Sequence, residues 1–200
     1  MLENLEKYHI LLASKSPRRR ELLSDLRIPF SPISLGGIDE SYPEDMPKTE
    51  VPQYIANKKA DAYLENISGN EMIITADTLV IKDEKVYGKP KNSSEAVQML
   101  KELSGKVHTV ITGVCILTAD RRTSFTSETE VKFAELSEED ITYYVENYLP
   151  LDKAGAYGIQ EWIGCIAVEW INGSFYNVMG LPVHRLYEEL KLFWTATQTQ

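Results

Sequence analysis

The chain has 200 residues, 43% hydrophobic and 26% charged, with 30 Asp plus Glu against 21 Lys plus Arg and a formal net charge of −9. That length suits one well-packed domain or one domain of two lobes, and the acidity argues against a broad nucleic-acid face, which needs basic surface. No apolar run approaches a membrane span or a secretory signal, so a cytoplasmic protein is expected.

Residues 8–13, YHILLA, read as a buried strand, and Ser16-Pro17 as the start of a helix with Leu22, Leu23 and Leu26 on one face. FSPISL (30–35) suggests a second strand, followed by an acidic loop over 36–47 with Asp39, Glu40, Glu44 and Asp45. A helix is expected from Val51 to about Glu65, with Tyr54, Ile55, Ala62 and Tyr63 inward. EMIITA then forms a strand ending at Asp77-Thr78, and TLVIKDEKVYG a hairpin turning at 82–85. Asn92 with Glu95 resembles a capping box, and Ala96, Met99, Leu100 and Leu103 make the inner face of a helix stopped by Gly105.

Two β-rich stretches follow, 106–118 and 123–134, turning near Asp120. Ser137 caps a helix with an acidic first turn, its inner face Ile141, Tyr144, Val145 and Tyr148. Residues 163–171 and 174–178, around Asn172-Gly173, read as a hairpin, and Pro182 opens a last helix with Val183, Leu186, Tyr187 and Leu190. Strands and helices alternate early while antiparallel pairs come later, which implies an α/β protein with a mixed sheet. One domain over 1–194 with a frayed tail over 195–200 is expected. Cys115 and Cys165, both in strand-like apolar runs without partners at metal-ligand spacing, read as two buried thiols.

The residues that can carry chemistry are scattered. SKSPRRR puts Lys15, Arg18, Arg19 and Arg20 at a helix start, the wrong end for helix stability but a suitable one for phosphate. Successive helical positions turn by about 100°, so one or two of the three arginines are expected to face a ligand and the others solvent. An exposed basic turn is an equally good reading of the pattern alone. Asp77, at a strand edge, can hold a divalent cation, act as a general base or simply cap a turn. Lys89, between Gly88 and Pro90, and Lys58 and Lys59, on the preceding helix, read as surface lysines unless a ligand gathers them. His108 reads as a satisfied structural histidine, and Gly113 inside a strand marks a close backbone approach or a bulge. In LDKAGAYGIQ (151–160) the glycines lack the strand-then-helix setting of a dinucleotide fingerprint, whereas Gln160 offers the paired donor and acceptor that read a base edge. Together these point to a nucleotide ligand.

Taken in order, LASKSPRRRELL, ADTLV, GKP, LSGKVHTVITGV, DKAGAYGIQ and MGLP resemble the Maf family of nucleoside triphosphate pyrophosphatases, from about Ile10 to Leu190. The resemblance implies an elongated mixed β-sheet flanked by helices, with two lobes and a central cleft, related to the inosine triphosphatase architecture. It implies hydrolysis of a nucleoside triphosphate to the monophosphate and pyrophosphate with Mg2+ or Mn2+, in the cytoplasm, and it admits a homodimer. Carried over by motif, Asp77 is the proton acceptor, and Arg18, Thr78 and Gln160 match positions tied to substrate choice in the dTTP/UTP branch, so Arg18 is expected to face the nucleotide and Arg20 mostly solvent, with the direction of Arg19 unassigned. Lys59 and Lys89 match phosphate-facing lysines, Ser14 and Arg19 line the same pocket, and Glu40, or Asp39 beside it, joins Asp77 at the metal. The AGAYGIQ loop favours the pyrimidine branch, with modified pyrimidine nucleotides also in view. The alternatives are the branch acting on 7-methyl-GTP and a non-enzymatic regulator of septum formation.

Overall fold

The computed structural model describes residues 5–34, 36–64, 67 and 69–195. The elements are β1 (His9–Ala13), α1 (Pro17–Asp25), β2 (Ser31–Ile33), α2 (Val51–Asp61), β3 (Glu71–Lys82), β4 (Lys85–Tyr87), α3 (Ser93–Leu103) and β5 (Val107–Leu117). They continue with β6 (Arg122–Phe133), α4 (Glu138–Tyr148), a 3-10 turn (Ala154–Ala156), α5 (Trp162–Ala167), β7 (Val168–Asn172), α6 (Phe175–Met179) and α7 (Val183–Thr195). Among the described residues the strands form a seven-stranded sheet in the order β2-β1-β3-β5-β6-β7, with β4 paired to β3. β1 runs parallel to β2 and β3, whereas β3–β4 and β6–β7 are antiparallel, so the sheet is mixed and helices flank it. No helix among the described residues is long and apolar enough to cross a membrane.

The chain gathers into two compact units, the first of residues 1–77, 112–127 and 180–200, the second of 78–111 and 128–179. In the first, Leu11, Ile73, Cys115 and Leu117 of the sheet pack with Ala56, Ala60 and Tyr63. Gly113 seats α2 there. A Cβ at that position would lie 2.2 Å from the backbone nitrogen of Gln53, so the close approach expected of this glycine is met by a helix lying on the strand. Thr75 donates its hydroxyl to the Ala56 carbonyl at 2.6 Å, fixing the same helix to β3. In the second unit, Val80, Leu100, Phe133, Tyr144, Tyr157 and Ile163 belong to one core.

Several helix signals read from sequence hold in detail. Ser16 accepts from the Arg19 amide at 3.4 Å, Asn92 from Glu95 at 2.9 Å, and Ser137 and Asp140 form a reciprocal capping box. Other expectations are corrected. β3 does not end at Asp77 but continues to Lys82, because Thr78, Leu79 and Val80 are β-prone and extend the strand into its pairing with β4. α2 ends at Asp61, Ala62 is exposed, and the expected end near Glu65 lies outside the described residues. Tyr148 is exposed, at the last turn of α4.

The hairpin expected over 163–178 is instead α5, β7 and α6. A short apolar run fits strand or buried helix equally, and here Ile163 and Ala167, four apart, are the buried pair, which is helical spacing. The helix turns Cys165 outward, so only Cys115 is a buried thiol. Ser174, read as strand, accepts from the Asn177 amide at 3.3 Å and starts α6. Residues 196–200 of the expected tail lie outside the described residues.

Candidate active site

In the first unit, α2 carries Lys58 and Lys59, and its seat on the sheet decides where they reach. Lys59 Nζ lies 2.8 Å from Asp77 Oδ1 and 3.2 Å from Glu40 Oε1, one ammonium between two carboxylates. Lys58, the next position round the helix, takes Asp39 at 2.9 Å and the Ser41 carbonyl at 3.0 Å. Hydrogen bonds from Ser41 and then from Lys58 hold the Asp39 carboxyl well below the usual range. Glu40, rather than Asp39, therefore stands beside Asp77. The lysine and Asp77 are nearly buried, their side chains 14% and 13% exposed.

Of the arginines of α1, Arg20 departs from the sequence expectation and Arg19 gains a definite place. Arg19, left unassigned there, donates from Nε to the Gly180 carbonyl at 2.7 Å and from Nη1 to the Ala76 carbonyl at 2.9 Å. Two backbone acceptors thus fix its planar group beside Asp77. Burial draws its pKa below the ordinary guanidinium value, while the charges of Asp77 and Glu40 oppose that and Arg18 adds to it. Arg18 is half-buried within this cluster's field. Arg20 does not point into solvent as expected: it is half-buried and folds back so that Nη2 donates to the Ser14 carbonyl at 3.2 Å. Ser14 is buried, and its hydroxyl oxygen accepts from the Ser16 amide at 3.2 Å. Lys59 and Arg19 thus stand with Asp77 and Glu40, and the charge of Arg18 reaches Arg19, so three cations share the field of two carboxylates.

The second unit holds the remaining sequence candidates. Thr78 is half-buried on β3, next to Asp77 in the chain. Lys89 is exposed at the turn after β4, and Gln160 is exposed at the end of the glycine loop. Those two loops are joined, since Gly155 N–H donates to the Gly88 carbonyl at 3.1 Å. Gly155, at φ 69°, has the conformation that glycine adopts without strain. His108, expected as a satisfied structural histidine, is buried with Nε2 2.8 Å from the Tyr157 hydroxyl, but its Nδ1 has no hydrogen-bond partner among the described residues, and burial lowers its pKa to about 4.

Three residues of this loop system were not singled out from sequence: Tyr144, Lys153 and Glu161. Lys153 is buried, 2.7 Å from Asp152 and 3.1 Å from Glu161. Tyr144 donates to the other Glu161 oxygen. The available signal was chemical, because a tyrosine on an inward helical face must find a partner for its hydroxyl.

An acid between cations on a rigid strand edge suits a polyanion. The chain is 59% identical over 191 residues to a dTTP/UTP pyrophosphatase of Phocaeicola vulgatus, covering 96% of this chain and 99% of that protein. It is 58% identical over 193 residues to a dTTP/UTP pyrophosphatase of Parabacteroides distasonis, covering 96% and 100%. Among solved structures it is similar, with 14% identity and a TM-score of 0.49, to the Ham1 protein of Staphylococcus aureus, over 95% of this chain and 100% of that one. The family model described as Maf-like protein matches residues 9–193, nearly the whole chain, and the chain therefore belongs to the Maf family.

Proposed function

We propose that this chain hydrolyses dTTP and UTP to the nucleoside monophosphate and pyrophosphate, in the cytoplasm. The observation that carries the chemistry is the cation surplus around Asp77, where Arg18, Arg19 and Lys59 outnumber Asp77 and Glu40. The nucleotide comes from the relatives' name, dTTP/UTP pyrophosphatase, at 59% and 58% identity over nearly whole chains.

Asp77 accepts the proton of the water that attacks the α-phosphorus. A bond forms from the water oxygen to phosphorus, the bond to the bridging oxygen breaks, and pyrophosphate leaves. Arg19, fixed by two carbonyls, cannot swing away and so presents a preorganised charge; Lys59 is held only by side chains and can exchange a carboxylate for a phosphate oxygen. Arg18, Ser14 and Lys89 complete the phosphate contacts, and Thr78 and Gln160 serve substrate choice. Uracil and thymine share an N–H flanked by carbonyls, which a glutamine amide matches with one acceptor and one donor.

A divalent cation fits this chain. Asp77 and Glu40 already share one positive group, and Mg2+ or Mn2+ is commonly held by one or two carboxylates with phosphate and water supplying the rest. When bound there, such an ion offsets phosphate charge and polarises a phosphoryl oxygen. The test incubates the purified protein with Mg2+ or Mn2+ and a nucleotide panel. UMP or dTMP plus pyrophosphate is expected; product from 7-methyl-GTP alone, or no product at all, would refute the reading.

A further inference from the structure

Gln160 presents a difficulty for base selection. Its side chain is exposed and has no hydrogen-bond partner among the described residues. An amide can also reverse its donor and acceptor by rotating, so by itself it discriminates poorly between uracil and cytosine. Its direction of approach must come from the backbone that carries it. That backbone is a tight turn, residues 158–161, closed by the Glu161 amide donating to the Gly158 carbonyl at 2.9 Å.

Both ends of this turn are fastened to one atom. The Tyr144 hydroxyl accepts from the Gly158 amide at 3.0 Å and donates to Glu161 Oε2. The other carboxylate oxygen of Glu161 is taken by the buried Lys153 at 3.1 Å, which also binds Asp152. Tyr144 itself is fully buried on α4, its ring stacked on Tyr148 with centroids 5.0 Å apart. Burial first, and the Glu161 hydrogen bond second, raise its pKa, so the hydroxyl stays a donor. Gly158 leaves room for the arrangement: a Cβ there would lie 2.9 Å from Glu161 Cδ and 3.0 Å from Lys153 Cε. Just before the turn, Tyr157 is held by His108, and just after it Gly164 admits the Ile159 carbonyl, which a Cβ would meet at 1.8 Å.

We infer that Tyr144 is a positioning residue for base selection: its hydroxyl, with Lys153 and Glu161, holds the turn that aims Gln160. The inference rests on the reading of Gln160 as the base-facing amide. A hydroxyl serving only to satisfy half-buried Glu161 would affect stability and nothing else. One serving Gln160 affects which base is accepted, and only while Gln160 is present.

The experiment is a double-mutant cycle of Tyr144→Phe and Gln160→Ala, reading kcat/KM for UTP relative to CTP. That ratio cancels the fraction of folded enzyme, so a destabilised variant still reports. Tyr144→Phe is expected to lower the ratio about tenfold, chiefly through KM for UTP, since displacing a positioned contact by an ångström costs that much or more. Gly158→Ala is expected to lower it similarly by pushing on Glu161. In the Gln160→Ala background, Tyr144→Phe should leave the ratio unchanged, the signature of two residues acting in series. An unchanged ratio in Tyr144→Phe, or an equal fall with and without Gln160, overturns the inference while leaving the pyrophosphatase reading intact. A wild-type enzyme that turns over UTP but does not prefer it to CTP removes the role of Gln160 and the inference with it, and one that hydrolyses neither breaks the functional reading itself.

Discussion

Ser16 and Ser137 both cap helices, yet Arg18, Arg19 and Arg20 follow the first and Glu138, Glu139 and Asp140 follow the second. Carboxylates at a helix start align with its dipole by about 0.3–1 kcal/mol each, and cations there are disfavoured to a similar degree. The caps differ in the same sense. Ser16 offers one long bond, 3.4 Å to the Arg19 amide, whereas Ser137 and Asp140 exchange bonds at 3.1 and 3.2 Å. The α4 start is arranged for stability, and it supports the helix that carries Tyr144. The α1 start gives up local stability and leaves positive charge beside Asp77, which only an anion can repay. Two lysines repeat the contrast. Lys59 stands between Glu40 and Asp77 with Arg18 and Arg19 close by, so the cluster is left positive. Lys153 stands between Asp152 and Glu161, one cation to two carboxylates, and its surroundings include a tyrosine and a backbone amide. The first group lacks a ligand's charge; the second is engaged with the protein itself.

The sharpest way to break this contrast is Asp77→Asn. The amide keeps the size of the side chain and an oxygen for Lys59 but cannot accept a proton. Turnover of UTP should fall by about 10²–10⁴-fold with the circular dichroism spectrum preserved. Undiminished turnover would remove Asp77 from the chemistry. Next in size come the two lysines. Lys153→Met takes away the ammonium that Asp152 and Glu161 share, and breaking a largely buried pair should cost about 3 kcal/mol of stability. Lys59→Met leaves Asp77 with the charge of Arg19, so it should cost about 1 kcal/mol of stability but at least tenfold in kcat/KM. Urea unfolding and steady-state kinetics on both variants check the pair of expectations. If Lys59→Met proves the more destabilising of the two, the contrast between ligand-directed and protein-directed clusters is wrong.

How much of this was legible in sequence follows from how local each signal is. Helix starts depend on three or four consecutive residues, so Ser16-Pro17, Asn92 with Glu95, and Ser137 with Asp140 were readable and hold. The fate of 163–178 depends on what the run packs against. Ile159 O fits against Gly164, and Asn177 is buried with its amide on Val110 and Thr129, 67 and 48 positions away; neither can be seen in a window of apolar residues. Asp77 was found because a carboxylate after an apolar run is conspicuous. A charge after an apolar run reads as a strand's end, yet β3 runs on through it to Lys82. The angle between helical positions leaves Arg19 unassigned, because it says nothing of the carbonyls at 76 and 180 that take it. Lys153 and Glu161 look like ordinary surface charges, and only the fold shows that one is buried and both serve the Gln160 turn.

The smallest effect tests the two caps directly. Ser137→Ala removes the acceptor for the Asp140 amide and the hydroxyl that donates to the Asp140 carboxylate at 2.6 Å. Loss of such a cap costs about 1 kcal/mol. Ser16→Ala removes a single long bond at a start already burdened by cations, and should cost less than about half of that. The two variants, compared by urea midpoint at matched conditions, should therefore rank Ser137 above Ser16. Activity should rank them in reverse. Tyr144 lies about two turns beyond Ser137, within the part of α4 held by the core, so Ser137→Ala should leave the UTP-to-CTP ratio where it was. Ser16→Ala loosens the start of the helix that presents Arg18 and Arg19, and should raise KM for UTP by a few-fold. Equal stability losses with equal kinetics would mean that the two starts are the same device in two places, and that the charges following them are incidental.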